Sequence, residues 1–381
     1  MGFLKKIIPL IVLIVFLEAC SITIIKVKTK IDPEAFSMFG STPQRNFFVP
    51  ESVSDSLKLK WETSTSGGFA NTSVTINDSL VFIGDLSGKV YAFNFYNGKE
   101  IGYLKDKGAV YTAPIISKFL IIYAVAIPDD NESILYFYDF SEGTVFRDIK
   151  VPGRIINEIV STNDGYAAAT EDGQILKYNS YGLPGWKIKI DSHIHVSPAF
   201  ENGMIILGDD DGEIICVDNK EGKIIYKNKI GGHFLGGVSI KNGTAFLGND
   251  NGTIYAVELK TGKISWQFNT GARVAMTPAF DDENVYAGNL NGDFFALGLK
   301  SGKVKWKFHS EGLFNVTPLI TNNFLFIPDL NGELHIISKV DGKTEKTLQL
   351  DGRAKLTPVL YKNILFIGFD RGVLQAYEFE K

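Results

Sequence analysis

The sequence predicts an all-β chain: an eight-bladed β-propeller of four-stranded antiparallel blades, the last blade closed by an N-terminal strand. Three observations predict it. From residue 160 onward a glycine closes a short acidic or amidic turn every 39 or 40 residues, at Gly173, Gly212, Gly252, Gly292, Gly332 and Gly372. A second glycine keeps the same pace at Gly182, Gly222, Gly262, Gly302 and Gly342, and a proline after Thr or Ser follows it at Pro198, Pro278, Pro318 and Pro358, with Val238 standing where one is missing. The runs between them are short and rich in β-branched and aromatic residues, and a period of about 40 built this way is one propeller blade.

The unit from Ala275 to Phe308 shows the four strands. Met276 to Phe280 is the first, with Pro278 near its start, where a missing N–H donor is tolerated. Asn284 to Gly288 is the second, turned by Asn289-Leu290-Asn291-Gly292 into a third over Asp293 to Leu297. Lys300-Ser301-Gly302-Lys303 turns the chain again into Val304-Lys305-Trp306-Lys307-Phe308, whose alternation of apolar and charged residues suits an outer edge. The inner strands, such as Ile205-Ile206-Leu207 and Leu325-Phe326-Ile327, are continuously apolar, as sheets covered on both faces require.

Counting the second-turn glycines from Gly98 and Gly143 to Gly342 gives seven complete blades, and three more strands follow before Lys381. The wider gap between Gly98 and Gly143 marks an irregular second blade, with Pro128-Asp129-Asp130-Asn131-Glu132 at its turn. Trp186, Trp266 and Trp306 sit late in their repeats, Tyr226 takes the same place, and the remaining tryptophan, Trp61, precedes the first blade in Leu57-Lys58-Leu59-Lys60-Trp61-Glu62-Thr63. That segment is therefore expected to be the outer strand of the eighth blade. Closure avoids two large apolar sheet faces where the first and last blades would fail to meet.

The domains expected are a signal peptide over 1–19, a tether and lead-in over 20–56, and the propeller over 57–381. Lys5 and Lys6 followed by the apolar run Ile7 to Leu17 have the form of a secretory signal. Leu17-Glu18-Ala19-Cys20 resembles a bacterial lipobox and makes Cys20 the lipidation site. An uncleaved anchor over Ile7 to Ile25 is the alternative, weakened by Pro9 and Glu18. The 39 basic and 43 acidic residues leave a formal net charge of −4, with no basic excess for nucleic acid.

No Gly-x-Ser-x-Gly, Walker loop or His-Glu-x-x-His motif is present, so no catalytic residue is assigned. Asp209-Asp210-Asp211-Gly212-Glu213 lacks the ligand spacing of a calcium loop and repeats later as Asn249-Asp250-Asn251-Gly252, which reads as hairpin chemistry. His193 and His195 face one way on an extended strand, but no third or fourth zinc ligand adjoins them in sequence, so no metal site is assigned. Cys216 lies in an apolar run and fills core space.

In a four-stranded meander the first turns and the blade-to-blade loops share one side of the disc, and the second turns occupy the other. The first set carries Asp85, Glu171, Asp172, Asp209 to Asp211, Asp250, Asp329 and Asp370. The second carries Lys99, Lys220, Lys223, Lys260, Lys263, Lys300, Lys303 and Lys343. A polarised disc is expected. The blade-to-blade loops also hold His193, Ile194, His195, His233, Phe234, Leu235, Arg273, Leu313, Phe314 and Arg353, a mixture of aromatic, apolar and Arg groups that marks a partner-binding surface.

The late Trp, the Asp/Asn-x-x-Gly hairpins and the Lys-x-Gly-Lys turns resemble the quinoprotein-type, PQQ-like propeller repeat, best in blades four to seven. With the lipobox in front, the whole chain resembles the BamB family of outer-membrane assembly lipoproteins. That resemblance implies a non-enzymatic scaffold, lipid-anchored in the outer membrane and facing the periplasm, which assists insertion of β-barrel proteins. It implies as partners the periplasmic domains of a BamA-like barrel protein and unfolded outer-membrane proteins. The family's contact corresponds to loops 191–196 and 231–237 here, although the second loop lacks the family's acidic residues. The runner-up reading is a PQQ-like envelope propeller of undefined binding role, and the third is a quinone-dependent dehydrogenase carrying pyrroloquinoline quinone and calcium. Those enzymes use a disulfide between adjacent cysteines, whereas Cys20 and Cys216 do not adjoin, so no cofactor is expected.

Overall fold

The computed structural model describes residues 24–380, so the signal segment and Cys20 lie outside the described residues. Eight four-stranded antiparallel sheets form the ring. Seven are consecutive meanders, beginning at Thr75, Ile115, Val160, Ala199, Ser239, Ala279 and Leu319. The eighth takes its three inner strands from Val359–Tyr361, Ile364–Gly368 and Val373–Phe379 and its outer strand from Leu57–Ser64, with Trp61 opposite Ala376. The expected closure is the observed one.

The repeat residues explain why neighbouring sheets stay in register. The outer-strand tryptophan reaches into the next blade, where its indole N–H donates to a backbone carbonyl: Trp61 to Phe95 at 2.9 Å, Trp186 to Asn219 at 2.8 Å, Trp266 to Leu299 at 2.9 Å and Trp306 to Lys339 at 3.0 Å. The Tyr226 hydroxyl makes the same bond to Leu259 at 3.1 Å. Each ring lies on the second-turn glycine of the blade it enters. A Cβ on Gly302 would sit 2.6 Å from Trp266, and one on Gly342 would sit 2.6 Å from Trp306. Both glycines also have positive φ, so turn and ring together exclude a side chain there. Apolar residues of facing sheets fill the spaces between blades, for example Ile206 and Cys216 against Ala245, Val257 and Leu259.

The stretch expected as tether and lead-in departs from that expectation, because from Ile24 onward it is docked on the disc. It crosses the second-turn side, with Val27 N–H donating to Phe140 at 2.8 Å and Asp32 N–H to the Asn77 side chain at 2.9 Å. It then enters the axis. The inner strands of five blades donate to it in turn: Ile76 to Phe36, Ile116 to Ser37, Phe200 to Pro43, Ile240 to Gln44 and Ile320 to Phe47, at 2.7 to 3.0 Å. Those edge N–H groups line the centre of the ring, and an unpaired buried donor there is costly, so a segment that satisfies them is held in place. Phe36, Met38, Phe39 and Phe47 are buried.

Arg45 anchors this axial plug. It is wholly buried and its guanidinium donates to four carbonyls: Phe39 at 2.9 Å, Pro198 and Ile159 at 3.1 Å, and Glu158 at 3.5 Å. Removal from water pulls its pKa down to about 10, against the favourable pull of the Glu158 carboxylate.

Candidate docking face and axial funnel

The first turns share one construction. The leading Asp or Asn folds back to accept the backbone N–H four residues on: Asp209 from Glu213 at 2.8 Å, Asn249 from Thr253 at 3.0 Å, Asn289 from Asp293 at 3.0 Å and Asp329 from Glu333 at 3.0 Å. Gly212, with φ +76, completes the acidic turn as hairpin geometry requires. Burial pushes the Asp209 carboxyl up against the opposing pull of the Glu213 N–H bond, and the Glu213 and Asp211 charges add to the rise.

The blade-to-blade loops run extended beside these turns, and their side chains alternate in three rings. Ile194, Phe234, Val274, Phe314 and Ala354 point between blades and are fully buried. Expected among exposed anchors, Ile194, Phe234 and Phe314 are therefore core residues; each fills the gap beside a small residue, as Phe234 does against Gly208 and Phe314 against Gly288. The residues just before them face outward: His193, His233, Arg273, Leu313 and Arg353 are exposed. The residues just after them face the axis, where Ala70, Tyr111, Ile156, His195, Leu235, Ala275, Asn315 and Lys355, one from each blade, surround a funnel of about 510 Å³. Phe39 of the plug lies at its floor.

His195 is the most constrained of the expected site residues. Its Nδ1 lies 2.9 Å from Asp210 and its Nε2 3.4 Å from Glu171, so carboxylates from two neighbouring blades hold the ring. Glu171 also pairs with Arg154. Sequence distance hid both partners, since Glu171 is 24 residues away. His193 stacks near it, ring centres 6.4 Å apart. His233 is tied by its backbone N–H to Asp250 at 2.7 Å.

One further cluster, not singled out from the sequence, joins Asp329, Glu333 and His335. His335 Nε2 lies 2.9 Å from Asp329, and Ser310 donates to the same carboxylate at 2.8 Å. Burial works against the Asp329 charge, but the bonds from His335, Glu333 N–H and Ser310 outweigh it and hold its pKa below the usual range. The group is internally satisfied and braces the seventh blade. The repeat concealed it, because His335 occupies a position that is Ile215 or Phe295 in other blades.

The two turn sets do lie on opposite sides, but the lysine-rich side is less one-signed than expected: Lys223 pairs with Glu221, Lys241 with Asp282 and Lys343 with Asp341, each at 2.7 Å.

The ring, its plug and its loop face define an eight-bladed β-propeller. Residues 171–312 match the family described as "Outer membrane protein assembly factor BamB". Among solved structures, BamB from Moraxella catarrhalis is 14% identical with a TM-score of 0.72, covering 85% of this chain and 100% of that one. A europium-containing methanol dehydrogenase is 10% identical with a TM-score of 0.74, covering 91% and 98%. Saccharomyces cerevisiae Sqt1 is 14% identical with a TM-score of 0.71, covering 86% and 100%. No curated protein matches. The chain is an eight-bladed β-propeller similar to BamB over its middle blades, and these structural likenesses speak to its fold alone.

The dehydrogenase likeness raises a metal-dependent cofactor in the funnel. Hard cations such as calcium or a lanthanide require several oxygen ligands with carboxylates among them. The side chains lining the funnel include three amides, Asn71, Asn157 and Asn315, but no Asp or Glu. That donor set does not fit such an ion.

Proposed function

We propose that this protein is a non-enzymatic scaffold of the bacterial envelope, lipidated at Cys20 and lodged at the periplasmic side of the outer membrane, where it assists assembly of β-barrel proteins. Its partner would be the periplasmic region of a BamA-like barrel protein, with unfolded outer-membrane chains as cargo. The match of the middle blades to the BamB family supports the setting. The observation that carries the reading is the outward ring of the loop face. At a spacing of forty residues it presents His193, His233, Arg273, Leu313 and Arg353, each beside a buried neighbour that fixes its loop. Rigid, pre-organised side chains of this mixture lose little entropy on binding.

The test is affinity recovery from envelope extract with the full chain and with the variant carrying Arg273→Glu and Arg353→Glu. Both positions are exposed, so the melting temperature should stay unchanged while recovery of a barrel-assembly protein falls. Equal recovery by both proteins would remove the loop face from the reading. Recovery of no barrel-assembly protein by the parent would remove the role.

A further inference from the structure

The side of the disc opposite the loop face collects the exposed apolar surface of this protein. Among the described residues, only Leu86 and Leu313 of the large exposed hydrophobic side chains lie on the loop side. The others lie on the second-turn side or at the lower ends of the strands that leave it. They concentrate on neighbouring blades one to four, where Tyr96, Phe119, Val145, Phe146, Tyr181 and Ile224 are 56, 40, 50, 49, 65 and 43% exposed. Tyr181 and Phe146 belong to adjacent blades, bridged where the Arg147 side chain donates to the Tyr181 carbonyl at 2.8 Å.

The chain's N-terminal segment arrives in this same sector. Lys26 packs on Gly143 of the second blade's turn, one residue from Thr144-Val145-Phe146, and Ile24 is 54% exposed beside it. Lys26, Lys28, Lys99, Lys118 and Lys220 surround the apolar groups and make no ion pair among the described residues. Aromatic and aliphatic groups ringed by long cationic side chains match the boundary of a bilayer, where rings settle at headgroup depth and ammonium groups meet phosphates.

We infer that this second-turn face of blades one to four rests on an anionic lipid surface, so that the loop face is directed away from the membrane toward its partner. The inference rests on the reading of a membrane-tethered chain and adds a non-covalent contact to it. A tether alone would leave the disc free to tumble; a seated face fixes its orientation. Glu100, Glu142 and Glu221 lie among the lysines, so the apolar groups supply the depth and the charges set the lipid preference.

Spin labels test it on the full chain reconstituted in vesicles of phosphatidylethanolamine and phosphatidylglycerol. Labels are placed singly through Phe146→Cys, Tyr181→Cys and Leu313→Cys on the lipidated chain; Cys216 is fully buried and the Cys20 sulfur is blocked as the lipid thioether, so neither is labelled. The expected result is a reversal of accessibility: positions 146 and 181 collide with oxygen and are shielded from a water-soluble nickel chelate, while position 313 does the opposite. Labels at 146 and 181 as open to the chelate as the one at 313 would overturn the contact. Equal depth in vesicles of phosphatidylcholine alone would overturn the anionic-lipid assignment. Partner recovery is read separately, so a disc that binds its partner with all three labels in water refutes this inference and leaves the scaffold standing.

Discussion

One stretch of chain seals the ring twice, by different means. At the rim, Leu57–Ser64 completes the eighth blade as a regular strand, and Trp61 repeats the bond that other tryptophans make between blades. At the axis, residues 36–48 form no strand, yet collect inner-edge donors from five blades and bury Arg45 among carbonyls. The rim seal works by conforming to the repeat. The axial seal works by departing from it, because the inner edges converge on a centre that no repeated unit can fill.

The largest effect should come from breaking the rim. Trp61 packs edge-on against Phe366 at 5.7 Å, covers Gly98 and donates to Phe95. Trp61→Ala should cost about 5 kcal/mol, the upper end for a buried aromatic, since cavity and opened closure act together. Denaturant unfolding measures the loss, and limited proteolysis should cut near residues 50–64 in the variant first. If Trp306→Ala, at a fully internal blade contact, costs more than Trp61→Ala, closure is not the weak point of the ring.

The loop face allows a sharper contrast between neighbours. Phe234→Ala should cost about 4 kcal/mol, because the ring is wholly buried against Gly208 and Tyr255. His233→Ala, one residue away and exposed, should stay within about 0.5 kcal/mol. Equal costs would mean that the alternation of these loops is wrong.

This contrast also marks what was legible beforehand. The forty-residue period exposed the blades, the turns and the closing strand, because those features recur and each recurrence checks the last. The loop side was legible for the same reason, but not the orientation of each residue within it. Phe234 and Phe314 read as anchors because a loop position in sequence implies exposure, whereas an extended loop between packed blades alternates like a strand. The plug left no trace, since Phe36, Arg45 and Phe47 follow no period and Arg45 finds its acceptors up to 153 residues away. The clustering of apolar groups on the second-turn face was hidden too, being spread over blades that only the ring brings side by side.

Breaking the axis should have a smaller effect than breaking the rim. Arg45→Met keeps much of the volume but strands the carbonyls of Phe39, Pro198 and Ile159. Each unpaired buried carbonyl costs about 1–3 kcal/mol, and relief of the buried charge offsets part, so a net loss of about 3 kcal/mol is expected in urea unfolding. A stabilised variant would mean that the guanidinium strains the plug.

The smallest effect concerns pH and the one axial position that departs from its ring. Where other blades place Thr72, Ser197, Thr277, Thr317 or Thr357, the third blade places Glu158, which accepts from Thr72 and from Ala113 N–H at 2.9 Å. Burial pushes its carboxyl up to about 7 from an ordinary 4.5, against the pull of Arg45 and those two bonds. Between these values the folded protein holds a proton that the unfolded chain has released, so this group's contribution to stability must fall as pH rises from about 4.5 to about 7. Carboxylates held low, such as Asp164 at about 2, act in the opposite sense but only at more acid pH. Glu158→Gln cannot ionise, and its amide can still accept from Ala113 while donating to Thr72. Its urea midpoint should therefore change less than the parent's between pH 5 and pH 7.5, and parallel profiles for the two proteins would show that Glu158 carries its charge without penalty at the centre of the ring.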